Sequence, residues 1–197
     1  ADVRLVCTSS LTWSHGTRVP LADVVEVAHE YGAQVLVDAV QSVGQHPVDV
    51  DAWGADFVAA SGHKWLLGPW GAGFLYVDRD VVTDLAPGHI GYFGVEDPKG
   101  EGYRFKPDAG RFQRGTTALG PKAGLAAGIE TIEAVGLAAI EARIERLTDR
   151  LKAGLGDRLL SPREYESGLV TFAAEDPEAV VERLAADDVV IRSIPEP

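Results

Sequence analysis

Apolar residues fall into short runs in the first half of the chain and recur at helical spacing in the second. Residues 3–7 form an apolar run that predicts a buried strand and opens into a polar loop over 8–18. Pro20 stands where a first helical turn tolerates it. Leu21, Val24, Val25, Ala28 and Tyr31 then repeat at three- and four-residue intervals until Gly32 stops the helix. A second strand over 35–37 completes a strand–helix–strand unit, so the two strands should be parallel and the crossover right-handed. A short helical turn over 48–55 leads to a third apolar run at 57–60. A turn rich in glycine (Gly68, Pro69, Gly71, Gly73) precedes a fourth run at 74–77, which favours an antiparallel return.

From 87 to 117 the pattern lapses, and loops of that length usually carry function or move. The aromatics in it, Tyr92, Phe93, Tyr103, Phe105 and Phe112, either cover a pocket, pack at a subunit interface or pin down a surface excursion. Residues 121–135 predict a helix ended by Gly136. A second helix follows, with Leu137, Ile140, Ile144, Leu147 and Leu151 on one face as ordinary core. A strand at 168–173, a helix at 178–186 and a strand at 189–192 predict a second α/β unit. The boundary is placed near Gly136, with 1–136 in a large domain and 137–197 in a small C-terminal one. Arg192 reads as an exposed strand arginine, with a substrate contact as the alternative.

Charge narrows the partners. The 197 residues carry a net charge of −12 and no concentrated basic patch, which argues against nucleic acid. No apolar run is long enough to span a membrane, and the first residues do not resemble a signal peptide. Arginine far outnumbers lysine beside thirty acidic residues, a bias that suits a salty cytoplasm or a high-GC genome. The single cysteine, Cys7, excludes an internal disulfide and fits a reducing cytoplasm. Its apolar strand makes it a small core residue. His15 reads as a solvated loop histidine rather than a ligand.

The candidate chemistry lies where strands end. Residues 55–77 read ADFVAASGHKWLLGPWGAGFLYV, a buried strand breaking into Ser61, Gly62, His63 and Lys64. A lysine just past a buried strand can lose solvation, which frees its amine to attack a carbonyl; the plainer alternative is a surface lysine in a glycine-rich loop. Upstream, 34–41 reads QVLVDAVQ, a strand ending in Asp38 with Gln41 three residues on. In a parallel sheet such a carboxylate faces the ligand crevice, or else it caps the following turn.

The joint pattern, D-x-x-Q followed by S-G-H-K-x-x-x-G-P-x-G, resembles the class V aminotransferase family of pyridoxal-phosphate enzymes. That family includes cysteine desulfurases, selenocysteine lyases and isopenicillin-epimerase-like proteins. The resemblance implies an α/β fold of the type I pyridoxal-phosphate class, a mostly parallel sheet flanked by helices. It implies pyridoxal 5'-phosphate held by Lys64 as a Schiff base, with Asp38 on the pyridinium nitrogen and Gln41 on the ring hydroxyl oxygen. Ser61 and His63 would hold the phosphate, and Val40 would pack on one face of the ring. The segment R-F-x-x-G-T from Arg111 implies that Thr116 reaches the phosphate of a neighbouring subunit across a homodimer. No metal ligands are implied.

A buried carboxylate such as Asp38 would keep the ring nitrogen protonated, the state in which the cofactor best withdraws electrons. The expected function is therefore transformation of an amino acid by a class V aminotransferase-like enzyme. Cysteine desulfurase or selenocysteine lyase is the alternative, with Cys7 a poor candidate for the nucleophile. A catalytically inactive scaffold of the same fold is the reading from another class. Family members are longer, so the chain is expected to be a piece that lacks the upstream ring-stacking residue and the downstream substrate-carboxylate arginine.

Overall fold

Val35 and Val37 have no exposed surface, and the sheet is built around the strand that carries them. The computed structural model describes residues 2–194. Its sheet has four strands in the order β1 (Leu5–Ser9), β2 (Gln34–Asp38), β3 (Phe57–Ser61) and β4 (Gly73–Val77). β1 and β2 are parallel, with Ser9 opposite Asp38. β2 and β3 are also parallel, with Asp38 opposite Ala59. β4 returns antiparallel to β3, setting Ser61 opposite Gly73. The parallel strands of the sequence reading are present, and so is the antiparallel return.

Helix α1 (Leu21–Glu30) covers one face of this sheet by burying Leu21, Val25 and Ala28. Val35, Val37 and Val58 meet it from the strands, each burial worth about 1.5 kcal/mol or more. The buried carboxylate of Asp56 ties helix to sheet, accepting from His29 Nε2 at 2.9 Å and from the Val35 amide at 2.7 Å. The short helix α2 (Val50–Trp53) starts at Asp49, whose side chain accepts from the Ala52 amide at 3.0 Å.

Two long helices follow, α3 (Leu119–Val135) and α4 (Leu137–Leu155), and α5 (Pro177–Ala185) comes last. Gly136, at φ 87°, makes the bend of 79° between α3 and α4. Leu125 and Ile132 of α3 pack on Leu66 in a separate apolar cluster. The segment after α4 docks on the loop beyond β1. Ser167 Oγ donates to the Gly16 carbonyl at 2.8 Å, and Arg18 Nε donates to the Glu166 carbonyl at 2.6 Å. No single helix among the described residues is long and apolar enough to cross a membrane.

Several expectations change. β1 is an edge strand with Leu5 and Cys7 exposed, not a buried one, because no helix among the described residues covers them. On α4 the stripe is core over its first half: Leu137 and Ile140 join the Leu66 cluster and Ile144 is half-buried near Gly168, while Leu147 and Leu151 are exposed. Further along, α4 buries Thr148 and Lys152 instead, the latter donating to the Glu164 carbonyl at 2.7 Å. A lysine can be sheltered there because its ammonium meets a carbonyl.

Neither C-terminal strand forms. Residues 168–173 make only an isolated bridge, Phe172 with Leu159, and 189–192 have no ladder, so Arg192 is not a strand residue. Residues 158–161 lie beside 171–173, where the Leu160 amide donates to the Thr171 carbonyl at 2.9 Å and the Ala173 amide to the Arg158 carbonyl at 2.8 Å, but the pairing stops at that one bridge and no ladder extends from it. The Arg192 guanidinium lies 5.1 Å from the centre of the Trp13 ring.

Candidate active site

The carboxyl ends of β2 and β3 lie side by side, and the turns that leave them share one cavity. β2 ends at Asp38, where Oδ1 accepts from the Val40 amide at 2.9 Å and closes the turn. The Ala39 amide donates to the Ala59 carbonyl at 2.8 Å, which fixes that turn against β3. β3 ends at Ser61 and runs into a closed loop. There the Gly68 amide donates to the Gly62 carbonyl at 2.8 Å and the Leu67 amide to the Lys64 carbonyl at 3.0 Å. Gly73 lets β4 come in close, since a Cβ there would stand 2.5 Å from the Ala60 carbonyl oxygen.

The cavity has a volume of about 650 Å³ and is lined by Asp38, Val40, Ser61, His63 and Lys64, with Ala59, Gly73 and Leu75 from the strands. Five of the seven residues singled out in the sequence therefore meet in one place. Asp38 both closes its turn and lines the cavity, so its two readings hold together. Asp38 and Lys64 are exposed, where a desolvated carboxylate and amine were expected. The cavity lies over the sheet face opposite α1, and α1 is the helix that shields the core.

Gln41 and Thr116 do not line the cavity. Gln41 is buried beside it, and its Oε1 accepts from Trp65 Nε1 at 3.2 Å. Thr116 is exposed, in the irregular segment before α3. The aromatics of 87–117 do not line the cavity either; Phe112 packs against the Phe57 cluster, and Tyr92 and Tyr103 are exposed. Two tryptophans escaped the sequence reading. Trp65 holds Gln41, and Trp70 stacks on His63 with ring centroids 3.8 Å apart and planes 16° from parallel. Their only signal was two large aromatics flanking a turn that otherwise needs small residues.

Asp38 can hold a proton on a ring nitrogen, Ser61 and His63 can donate to an anion, and Lys64 offers a primary amine. The whole set lies within a chain that matches the aminotransferase class-V family model over residues 1–193. The chain belongs to the class V aminotransferase family. Its relatives include a probable cysteine desulfurase of Methanothermobacter thermautotrophicus, 38% identical over 150 residues, 76% of this chain and 38% of that protein. Among solved structures, the apo cysteine desulfurase of Thermococcus onnurineus NA1 superposes with a TM-score of 0.86. It is 33% identical over 96% of this chain and 49% of that one.

A second solved relative is C-DES, whose K223A variant holds glycine covalently linked to its PLP cofactor. It is 31% identical, with a TM-score of 0.87 over 97% of this chain and 53% of that one. It is also known with cysteine persulfide, the product of its cystine C–S lyase reaction. The class V chain described here spans less than half the length of curated relatives such as the Methanothermobacter protein and the probable cysteine desulfurase of Pyrococcus abyssi, 38% and 49% respectively. Its α/β sheet with flanking helices is the fold of these pyridoxal-phosphate relatives.

Proposed function

We propose that this chain carries the cofactor site of a pyridoxal-phosphate-dependent enzyme that acts on an amino acid. The observation behind the reading is that Asp38, Ser61, His63 and Lys64 line one cavity. The donor set fits the group: a hydroxyl and an imidazole for a phosphate, a carboxylate for a ring nitrogen, an amine for an aldehyde. Pyridoxal phosphate, when bound, supplies an electron sink for a bond broken next to the substrate's amino nitrogen.

The protein's part is to bind, orient and move protons. Lys64 Nζ would hold the cofactor at its aldehyde carbon, and its free amine would carry the proton to and from the substrate carbon. Asp38 would keep the ring nitrogen protonated through a charge-assisted hydrogen bond. Ser61 Oγ and His63 would bind the phosphate, Val40 would pack on the ring face, and Gln41, buried beside the cavity, would bond the ring oxygen. Thr116 we assign to the phosphate of a second copy, which makes the working unit a homodimer with sites near the interface. A cytoplasmic setting goes with the single cysteine.

A narrower reading takes the substrate as cysteine or cystine and the broken bond as C–S, supported by the printed activities of the relatives. Cys7 is exposed in β1 and does not line the cavity, so the thiol of this chain has no place in that step.

Colour is the first test. The full-length protein should turn yellow with pyridoxal phosphate, and borohydride should fix the cofactor on the peptide that contains Lys64. A Lys64→Ala variant that yields the same fixed adduct would end the assignment. A wild-type protein that stays colourless would favour the inactive scaffold. Sulfide release from L-cysteine or L-cystine, against a panel of other amino acids, decides the narrower reading.

A further inference from the structure

Gln41 follows Val40 in the turn that leaves β2, and its side chain is buried. Its Oε1 accepts a hydrogen bond from the indole of Trp65, the residue next to Lys64. An indole nitrogen only donates, so the carboxamide atom facing it has to be the oxygen. The reversed amide would set two N–H groups against each other. The orientation of the Gln41 carboxamide is thus decided by a residue that does not line the cavity, and Nε2 is the end left for another partner.

The indole is itself held. A Cβ at Gly168 would stand 2.8 Å from its ring edge, so the backbone there packs directly on the tryptophan. The Gly168 amide donates to Gln45 Oε1 at 2.7 Å, and Gln45 Nε2 donates to the Gln41 carbonyl. Gln45 has no exposed surface. Gln41 is gripped at its carboxamide by Trp65 and at its carbonyl by Gln45, and both grips end on Gly168.

We propose that Trp65 is a positioning residue, which turns the Gln41 carboxamide so that an N–H, and not an oxygen, is presented to the ring oxygen of the cofactor. The inference rests on the reading that this cavity takes pyridoxal phosphate. A donor at that oxygen attracts its negative charge, whereas a flipped amide would repel it. The partial positive charge of the N–H also makes the neighbouring titrating groups of the bound cofactor give up protons at lower pH.

The test uses the full-length protein with Trp65→Phe, alone and combined with Gln41→Ala. Cofactor affinity is read by equilibrium dialysis and the bound cofactor by the pH midpoint of its visible absorbance. With Gln41 present, Trp65→Phe should weaken binding about fivefold, the scale of one hydrogen bond, and move the midpoint to higher pH. In the Gln41→Ala background it should do neither, because the carboxamide it orients is gone. Trp65→His, which regains a ring N–H, should bring the midpoint back towards wild type, and it carries the comparison if the phenylalanine variant does not fold. An unchanged midpoint in both backgrounds, or the same loss of affinity in both, overturns the proposal and leaves the indole a packing residue. If the wild type takes up no pyridoxal phosphate, the functional reading fails and this inference with it. That outcome is distinct from a cofactor-loaded wild type that Trp65→Phe leaves unaltered.

Discussion

The imidazole of His63 lies flat on the indole of Trp70, with centroids 3.8 Å apart. Trp70 is itself 78% exposed and does not line the cavity, whereas His63 does. Stacking of this kind is worth about 0.5–1.5 kcal/mol. It fixes the plane of an imidazole that we assign to the phosphate. Trp70→Ala should therefore weaken pyridoxal-phosphate binding about threefold to tenfold while the melting temperature stays within a few degrees. Equilibrium dialysis and a thermal melt measure the two; equal affinity in both proteins would show that the stack orients nothing.

Asp38 lines the same cavity as Lys64 from the neighbouring strand end. Asp38→Asn keeps the shape and removes the charge that holds the ring nitrogen protonated. Turnover should fall at least ~100-fold, about 2.7 kcal/mol of transition-state stabilisation. Cofactor uptake at Lys64 should survive, so colour and chemistry separate. Near-normal turnover in steady-state assays would put the wrong carboxylate under the ring.

His46 gives a pH dependence of stability. Burial first, then the positive charge of Arg18, pushes its pKa down from 6.5 to about 4, with Glu141 pulling the other way. Its Nδ1 is buried without a partner among the described residues. The unfolded chain takes up a proton here below pH 6.5, whereas the folded chain waits until about pH 4. Stability is therefore full above the unfolded value and falls as the pH drops between the two, by about 3 kcal/mol at most. Urea midpoints at pH 7 and pH 5 should show the loss, and His46→Gln should flatten it. An equal pH slope in both proteins would assign the loss to other groups.

Gly44 sits at φ 96°, and a Cβ there would be 2.4 Å from the Trp65 carbonyl oxygen. Gly44→Ala should cost about 2 kcal/mol or more through backbone strain and the clash. Gly154 in α4 has nothing within 4 Å of such a Cβ, so Gly154→Ala should stabilise by about 0.5–1 kcal/mol. Denaturant midpoints of the two variants should move in opposite directions. A neutral Gly44→Ala would mean that the 43–45 turn relaxes freely.

The sequence by itself determined the strand–helix–strand unit, the antiparallel return of β4 and the order of chemical groups along the chain. These are local matters: period, turn residues and motif spacing act over a few residues. The apolar run at 57–60 and the glycines at 68–73 place Lys64 in a turn whatever surrounds it. Where Asp38 and Lys64 stand relative to each other already follows from adjacent parallel strand ends.

What periodicity cannot say is whether anything lies against a given face. Leu147 and Leu151 repeat as regularly as Leu137 and Ile140, yet only the earlier pair meets another apolar surface. Cys7 alternates correctly in β1, but no helix among the described residues covers it. Lys152 is buried because a carbonyl from a later segment reaches it, and 168–173 is no strand because its pairing with 158–161 stops at a single bridge. The hold of Trp65 on Gln41 joins residues 24 positions apart. Burial, strand pairing and that hydrogen bond each depend on a second partner brought in from elsewhere in the chain, and only the tertiary structure supplies it.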